Sequence, residues 1–200
     1  MHSQIFLVRH GQTAWSISGQ HTGRTDIPLT DQGERNARSL GARLKGLSFV
    51  KVLTSPLQRA KRTSELASFG TVATIDPDLA EWNYGQHEGK RTEEIRQERP
   101  DWNLFRDGCP AGETLAAVSA RADRVIRRIR ACAGDVLLFA HRDFLRIPAV
   151  RWVRLAAIEA QHFLLTTASL SVLGYDHGLD QPVICLWNDD RHLADIDRTP

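Results

Sequence analysis

The chain has 200 residues, a formal charge of +2, 42% hydrophobic residues and 25% charged residues. This length predicts one domain whose core needs no disulfide or structural metal for stability. The near balance of charge argues against a nucleic-acid partner, and the widely spaced Cys109, Cys132 and Cys185 match neither a disulfide framework nor a metal motif. Because no signal peptide or membrane-length apolar stretch is evident, we expect a cytoplasmic protein with no membrane partner.

The first predicted strand is the apolar run at residues 5–8, which ends at Arg9, His10 and Gly11. In open α/β sheets, ligands bind just beyond the carboxyl ends of such strands. A histidine there is a candidate nucleophile, and an arginine beside it is a candidate clamp for an anion. A helix follows from residues 29–30, with an apolar stripe at Ala37, Leu40, Leu44 and Leu47.

The second predicted strand, at residues 49–54, leads into another helix. We predict Ser55 as its N-cap, Pro56 at its first position and Gln58 as the closing residue of a capping box. Arg59 then lies in the first turns, where the free N–H groups and the helix dipole favour anions.

The middle of the chain predicts a cap over the site and then a long helix. Residues 82–112 are polar and rich in Gly and Pro, with one short helix near Thr92–Glu98. Thr114 is the predicted N-cap of the long helix, whose apolar stripe includes Val118, Ala122 and Val125. The other face of this helix is predicted to be solvated, and it carries Arg121, Arg124, Arg127 and Arg128.

The third predicted strand, Val136–Ala140, delivers His141 at its end. A helix is predicted at residues 144–153, where Pro148 should kink or delay it. Further strands are predicted at residues 164–173 and 182–186, and residues 195–200 should fray. If the three buried strands are parallel neighbours, two histidines and two arginines converge. A phosphoryl-transfer site needs this combination of a nucleophile and fixed positive charge.

Five segments carry a resemblance to a known family: residues 7–13 (LVRHGQT), 22–30 (TGRTDIPLT), 55–60 (SPLQRA), 81–85 (EWNYG) and 139–141 (FAH). In this order they resemble the histidine phosphatase superfamily, also called phosphoglycerate-mutase-like, and its sugar-bisphosphatase branch in particular. The resemblance implies an α/β fold of three α/β/α layers, with a mostly parallel sheet and a small cap insertion. It implies a single domain over residues 1–200, with the cap at about 82–112.

The resemblance also implies roles for individual residues. His10 would attack phosphorus and carry a phosphohistidine, and Glu81 would act as the acid and then the base. The phosphate oxygens would be held by Arg9, Arg59 and His141, and substrate would be contacted by Thr22, Gly23 and Tyr84. We expect the second ring nitrogen of His10 to donate to a backbone carbonyl, and a raised pKa would suit Glu81. No metal or cofactor is expected, because arginine and histidine supply the positive charge.

The sequence is compatible with more than one activity. Mutases of this family are longer after the Glu81 motif, whereas here only 60 positions separate Glu81 from His141, so hydrolysis is favoured over mutase chemistry. A small sugar phosphate or bisphosphate is the expected partner. Arg142 stands where the family usually has glycine. Its side chain is predicted to pair with Asp143 or with a second anionic group on the substrate. This departure also motivates a third hypothesis, a phosphate-binding regulatory module that has lost turnover.

Overall fold

The computed structural model of the chain describes residues 3–194, so the predicted fraying of residues 195–200 lies outside it. Its centre is a six-stranded sheet in the order β3-β2-β4-β1-β5-β6. The strands are β1 (Ile5–Arg9), β2 (Lys51–Thr54), β3 (Ala73–Ile75), β4 (Val136–Ala140), β5 (Leu170–Tyr175) and β6 (Pro182–Asp189). The first four are parallel neighbours, and β5 runs antiparallel to both β1 and β6. The predicted mostly parallel sheet is confirmed.

Helices cover both faces of this sheet. They are α1 (Ala14–Ser18), α2 (Asp31–Leu44), α3 (Gln58–Leu66), α4 (Thr92–Glu98), α5 (Leu104–Asp107), α6 (Leu115–Arg130) and α7 (Arg142–Trp152). Successive side chains of a strand point to opposite faces. Accordingly, Ile5 and Leu7 pack with α6 and α7, whereas Phe6 and Val8 pack with α2 and with Ala67 at the end of α3. The three-layer α/β/α architecture is therefore confirmed. None of the helices within residues 3–194 is long and apolar enough to cross a membrane.

Side-chain caps fix the starts of the two long helices. Thr30 accepts from the backbone N–H of Gly33 at the start of α2, and Thr114 accepts from that of Ala117 at the start of α6. Each bond satisfies one of the N–H groups that a helix leaves free at its first turn. The predicted stripe on α6 is buried, including Val118, Ala122, Val125 and Ile129.

The cap segment, residues 82–112, packs into the hydrophobic core of the domain. Trp82, Tyr84, Trp102 and Phe105 belong to the same hydrophobic cluster as the inner faces of α6 and α7. The predicted short helix is α4, with the predicted bounds, but the segment also contains α5, which was not predicted. Gly85 closes the segment on itself at φ +52°, where an added Cβ would lie 2.2 Å from the carbonyl oxygen of Pro110. Only glycine fits both that backbone angle and that approach.

The predicted start of α3 is wrong. The helix begins at Gln58, and its N-cap position, Leu57, makes no side-chain cap bond. Ser55 instead lies in the preceding turn, where its hydroxyl oxygen is 2.7 Å from Nε2 of His141. Asp26 takes over the capping role, because its carboxylate accepts from the backbone N–H of Gln58 at 2.7 Å. A capping group from a distant loop leaves no trace in the local sequence pattern.

Two predictions near the C-terminal half also need correction. Residues 164–169 form a loop, and the strand begins only at Leu170, although apolar residues precede it. The last helix is not delayed by Pro148, because α7 begins directly after His141 and contains the proline. His141 is the N-cap residue of this helix.

The prediction of a solvated arginine face on α6 is wrong for Arg121. This side chain is buried, and its guanidinium forms two hydrogen bonds to the carboxylate of Glu113 and others to the carbonyls of Asp78 and Ala80. The guanidinium ties the chain just before the predicted acid–base residue, Glu81, to Glu113, and it lies 4.9 Å from the ring centroid of Phe144. Arginine suits such a site because its planar fork serves several acceptors at once.

Candidate active site

The strand register brings the predicted site residues to one edge of the sheet. Arg9 on β1 lies opposite Ala140 on β4, and Thr54 on β2 lies opposite Phe139 on β4. The carboxyl ends of these three neighbouring strands therefore meet at the same edge. The rings of His10 and His141 lie there with their centroids 5.1 Å apart. The predicted convergence of the strand ends is confirmed.

His10 is held in one tautomer. Its Nδ1 lies 2.7 Å from the carbonyl oxygen of Gly11. Since a carbonyl oxygen only accepts, Nδ1 carries the proton and Nε2 keeps its lone pair. Burial, together with the charges of Arg59 and Arg9, places the pKa of His10 well below its usual 6.5. The ring is thus neutral and oriented, with a free nitrogen available as nucleophile.

Arg9 and Arg59 are fixed by backbone carbonyls. Arg59 is fully buried and donates to the carbonyl oxygens of Thr22, Gly23 and Thr25 through its two terminal nitrogens. Arg9 donates to the carbonyl of Leu165 at 2.6 Å, and burial lowers its pKa to about 10, so it stays charged at neutral pH. Neither Nε atom has a partner among the described residues, although both are buried.

His141 is also fully buried, and its Nε2 is the atom that contacts Ser55. The Ser55 hydroxyl also accepts from the backbone N–H of Leu57, and with its own proton it can donate to Nε2. In that arrangement Nδ1 of His141 carries the ring proton, and Nδ1 has no partner within residues 3–194. Burial and the charge of Arg59 hold the pKa of His141 well below 6.5. The residue is therefore a neutral imidazole beside the nucleophile.

Glu81 lies at the N-terminus of α7. Its Oε1 accepts from the backbone N–H groups of Trp82 and Phe144, at 2.9 and 2.8 Å, and Oε2 accepts from that of Asp143 at 3.2 Å. Burial raises the pKa of Glu81, the negative charge of Asp143 raises it further, and the three N–H donors oppose the shift. Oε2 retains the capacity to carry a proton. A buried carboxyl group with a raised pKa suits a general acid.

Asp143 is the site residue that sequence reasoning missed as an organising group. It is buried, and its carboxylate accepts from the hydroxyl of Tyr84 and forms ion pairs with Arg142 and Arg146. Burial alone would raise its pKa, but the two arginines hold it well below the usual range. The expected pairing of Arg142 with Asp143 is present, with Nε 3.1 Å from Oδ1. No local sequence pattern indicates that one aspartate contacts three side chains, one from the cap and two from α7.

Only some of the predicted site residues line the open pocket. Its walls include Arg9, His10, Thr22, Glu81, Tyr84 and Arg142. Arg59 and His141 are fully buried and do not line it, and Gly23 gives its N–H to Glu88 and its carbonyl to Arg59. Among residues 3–194, no group of three or more His, Cys, Asp or Glu side chains could hold a metal ion.

One wall of the pocket was absent from the sequence prediction. It consists of α1 and the turn after it, which contribute Thr13, Trp15, Ser16, Gly19, Gln20 and His21. Thr13 caps this one-turn helix, and Ser16 completes the capping box. The Thr13 and Ser16 pair was the available signal, but five residues carry too little periodicity to identify a helix.

Comparison with known proteins identifies the family of the chain. The family model described as "Histidine phosphatase superfamily (branch 1)" matches residues 5–190. An acid phosphatase of Mycobacterium tuberculosis is 41% identical over 89% of each chain. The sedoheptulose 1,7-bisphosphatase of Saccharomyces cerevisiae is 38% identical, over 90% of this chain and 91% of its own.

A solved structure supports the same assignment. An open reading frame product of M. tuberculosis, solved and functionally characterised, superimposes with a TM-score of 0.89 and 38% identity. The match covers 94% of this chain and 98% of the other. The chain therefore belongs to the histidine phosphatase superfamily, branch 1, and is an enzyme of that family.

Proposed function

We propose that this protein hydrolyses phosphomonoesters by way of a phosphohistidine on His10. The observation that carries the proposal is the state of His10, which is neutral, fixed in orientation and left with a free Nε2. Seven buried side-chain nitrogens lack a partner within the described residues, and three of them are Nε of Arg9, Nε of Arg59 and Nδ1 of His141. We infer that a phosphoryl group on Nε2 of His10 reaches beyond the open pocket to these three buried nitrogens, which would donate to its non-bridging oxygens.

The reaction is proposed in two steps. In the first, Nε2 of His10 attacks phosphorus in line, the ester P–O bond breaks, and protonated Glu81 gives its proton to the leaving alkoxide. In the second, the Glu81 carboxylate takes a proton from water as that water attacks the phosphohistidine. Inorganic phosphate leaves, and both His10 and Glu81 return to their starting states.

The substrate is proposed to be a small sugar phosphate or bisphosphate. Support comes from the yeast relative named as a sedoheptulose 1,7-bisphosphatase and from the resemblance of residues 81–85 to that branch. Purified protein should release phosphate from p-nitrophenyl phosphate and, faster, from one or more sugar phosphates in a metabolite panel. Interconversion of phosphoglycerates that depends on a bisphosphoglycerate primer would instead indicate a mutase. Phosphate binding without any turnover would indicate a regulatory module.

The pH dependence should be bell-shaped and displaced to acid. His10 must be neutral, and its lowered pKa keeps it so to a pH well below 6.5. Glu81 must be protonated for the first step, and its raised pKa extends that state above 4.5. For a sugar phosphate, kcat/KM should therefore rise through the pKa of His10 and fall through that of Glu81. A pH series corrected for substrate ionisation checks this, and an acid limb at the ordinary histidine pKa would contradict it.

Activity should be independent of metal ions. Arg9, Arg59 and Arg142 supply the positive charge that a metal would otherwise bring to the phosphoryl group. After exhaustive dialysis against a chelator, kcat and KM for p-nitrophenyl phosphate should stay within about twofold of the untreated values. Loss of activity that one specific divalent ion restores would contradict the proposed mechanism. Protein dialysed in parallel against the same buffer without chelator controls for loss of activity during handling.

A further inference from the structure

A second cavity adjoins the proposed catalytic pocket. Its volume is about 290 Å³, and it shares two wall residues with the pocket, His21 and Arg142. The other wall residues come from the cap, from α7 and from the turn after α7, and they include Arg96, Trp102, Phe105, Asp143, Arg146 and Gln161. A ligand fixed at His10 and extending past Arg142 would enter this cavity.

The cavity carries an excess of positive charge. Three arginines line it, namely Arg96, Arg142 and Arg146, against the single carboxylate of Asp143. Asp143 is already paired with Arg142 and Arg146, and Arg96 has no carboxylate partner among residues 3–194. Arg96 is tied to the fold by one bond, from Nε to the carbonyl oxygen of Trp102. The lining thus favours an anion and leaves a guanidinium available to bind one.

Two buried nitrogens in these walls lack a hydrogen-bond partner within the described part of the chain. Nδ1 of His21 is one, and Nε of Arg146 is the other. Arg146 is held by Asp143 and by the carbonyl of Gln161, with its guanidinium 4.7 Å from the ring centroid of Phe105. The ring centroids of His21 and Tyr84 lie 4.7 Å apart, and Nε2 of His21 contacts the hydroxyl of Thr92. A buried guanidinium N–H that is held rigid without an acceptor, as in Arg146, is typical of a preorganised binding site.

We propose that this cavity is a second anion subsite, which takes the distal phosphate or carboxylate of a substrate whose reacting phosphate lies at His10. Arg142 separates the two positions, and Arg96 and Arg146 line the outer one. The inference rests on the proposed function, and it narrows the substrate class from any phosphomonoester to one with two anionic groups. The rings of Trp102 and Phe105 supply apolar wall for the carbon chain between those groups.

Calorimetric titration tests this directly. The protein is His10→Ala, which prevents turnover during the measurement. The ligands are alkyl monophosphates, alkanediol bisphosphates and ω-phosphonooxy carboxylates of matched chain length, from three to six carbons. At one or more lengths, the bisphosphate or the carboxylate should bind about tenfold more tightly than the monophosphate, as expected for one added charge-assisted contact. Equal affinity of all three series at every length would overturn the proposal.

Variants assign the effect to the cavity. In the same background, Arg96→Gln and, separately, Arg142→Gln should reduce that advantage to about threefold or less. Arg96 is exposed, so its replacement tests the subsite even if loss of Arg142 beside buried Asp143 harms folding. Arg99→Gln is the matched control, because Arg99 lies just beyond α4, pairs with Asp107 and lines neither cavity. An advantage that survives both Arg96→Gln and Arg142→Gln would also overturn the proposal.

The outcomes separate this inference from the proposed function. If the subsite is wrong but the function is right, wild-type protein will hydrolyse monoesters without preference for a second anion. If the function is wrong but the subsite exists, the dianionic ligands will bind more tightly although wild-type protein turns none of them over.

Discussion

His10→Ala should reduce kcat for p-nitrophenyl phosphate and for a sugar phosphate by at least about 10⁴-fold. The variant removes the only group placed to form the covalent intermediate in the proposed mechanism. Arginine donors alone would still bind the phosphate, so the loss should fall on kcat more than on KM. Steady-state kinetics with both substrates measures the effect.

The control for this variant is His177→Ala. His177 is 85% exposed and lies in the turn between β5 and β6, so its replacement should leave kcat within about twofold of wild type. A thermal melt of His10→Ala separates lost chemistry from lost folding, because His10 is buried. If a folded His10→Ala protein kept activity near wild type, the nucleophile assignment would be wrong.

Glu81→Gln should separate substrates by their leaving groups. For a sugar phosphate, whose alkoxide needs a proton, kcat/KM should fall by about 10²- to 10⁴-fold. For p-nitrophenyl phosphate, whose phenolate leaves without protonation, kcat/KM should fall less than about tenfold. The ratio of the two values is the measurement, and it is insensitive to the fraction of protein that is active.

A structural role for Glu81 would give a different pattern. Its carboxylate accepts from three backbone N–H groups, so glutamine, which has one acceptor oxygen, should also cost about 1–3 kcal/mol of stability. Such a loss affects both substrates alike. Glu98→Gln is the control, since that cap carboxylate is 77% exposed. Equal losses for both substrates in Glu81→Gln would remove it as the general acid.

The sequence predicted those parts of the molecule that depend on local pattern. Buried parallel strands are continuous apolar runs, so the strands that end at His10 and His141 were evident. Thr30 and Thr114 cap helices through bonds to residues only three positions away, and α4 lies within its predicted bounds. Because parallel strands end at one edge, the convergence of His10 and His141 followed from these local features.

What sequence reasoning missed depends on contacts between distant segments. Ser55 resembles an N-cap, but His141, 86 positions away, contacts its hydroxyl. Arg121 lies on the polar side of the α6 sequence pattern, yet it is buried, because Glu113 and backbone carbonyls accept its hydrogen bonds. In the sequence, Asp143 is an ordinary aspartate in the first turn of a helix. In the structure, its carboxylate accepts from the Tyr84 hydroxyl and pairs with Arg146. Periodicity does not encode such partners.

The central claim is that His10 itself carries the phosphoryl group, and a rapid chemical quench tests it most directly. Wild-type protein is mixed with labelled substrate, quenched in alkali within milliseconds, digested and mapped by mass spectrometry under alkaline conditions, where phosphohistidine survives. We predict phosphate on the peptide that contains His10, formed and lost at rates at least equal to kcat, and absent from His10→Ala. Turnover with no covalent phosphate at any time, or with phosphate on another residue, would contradict the mechanism.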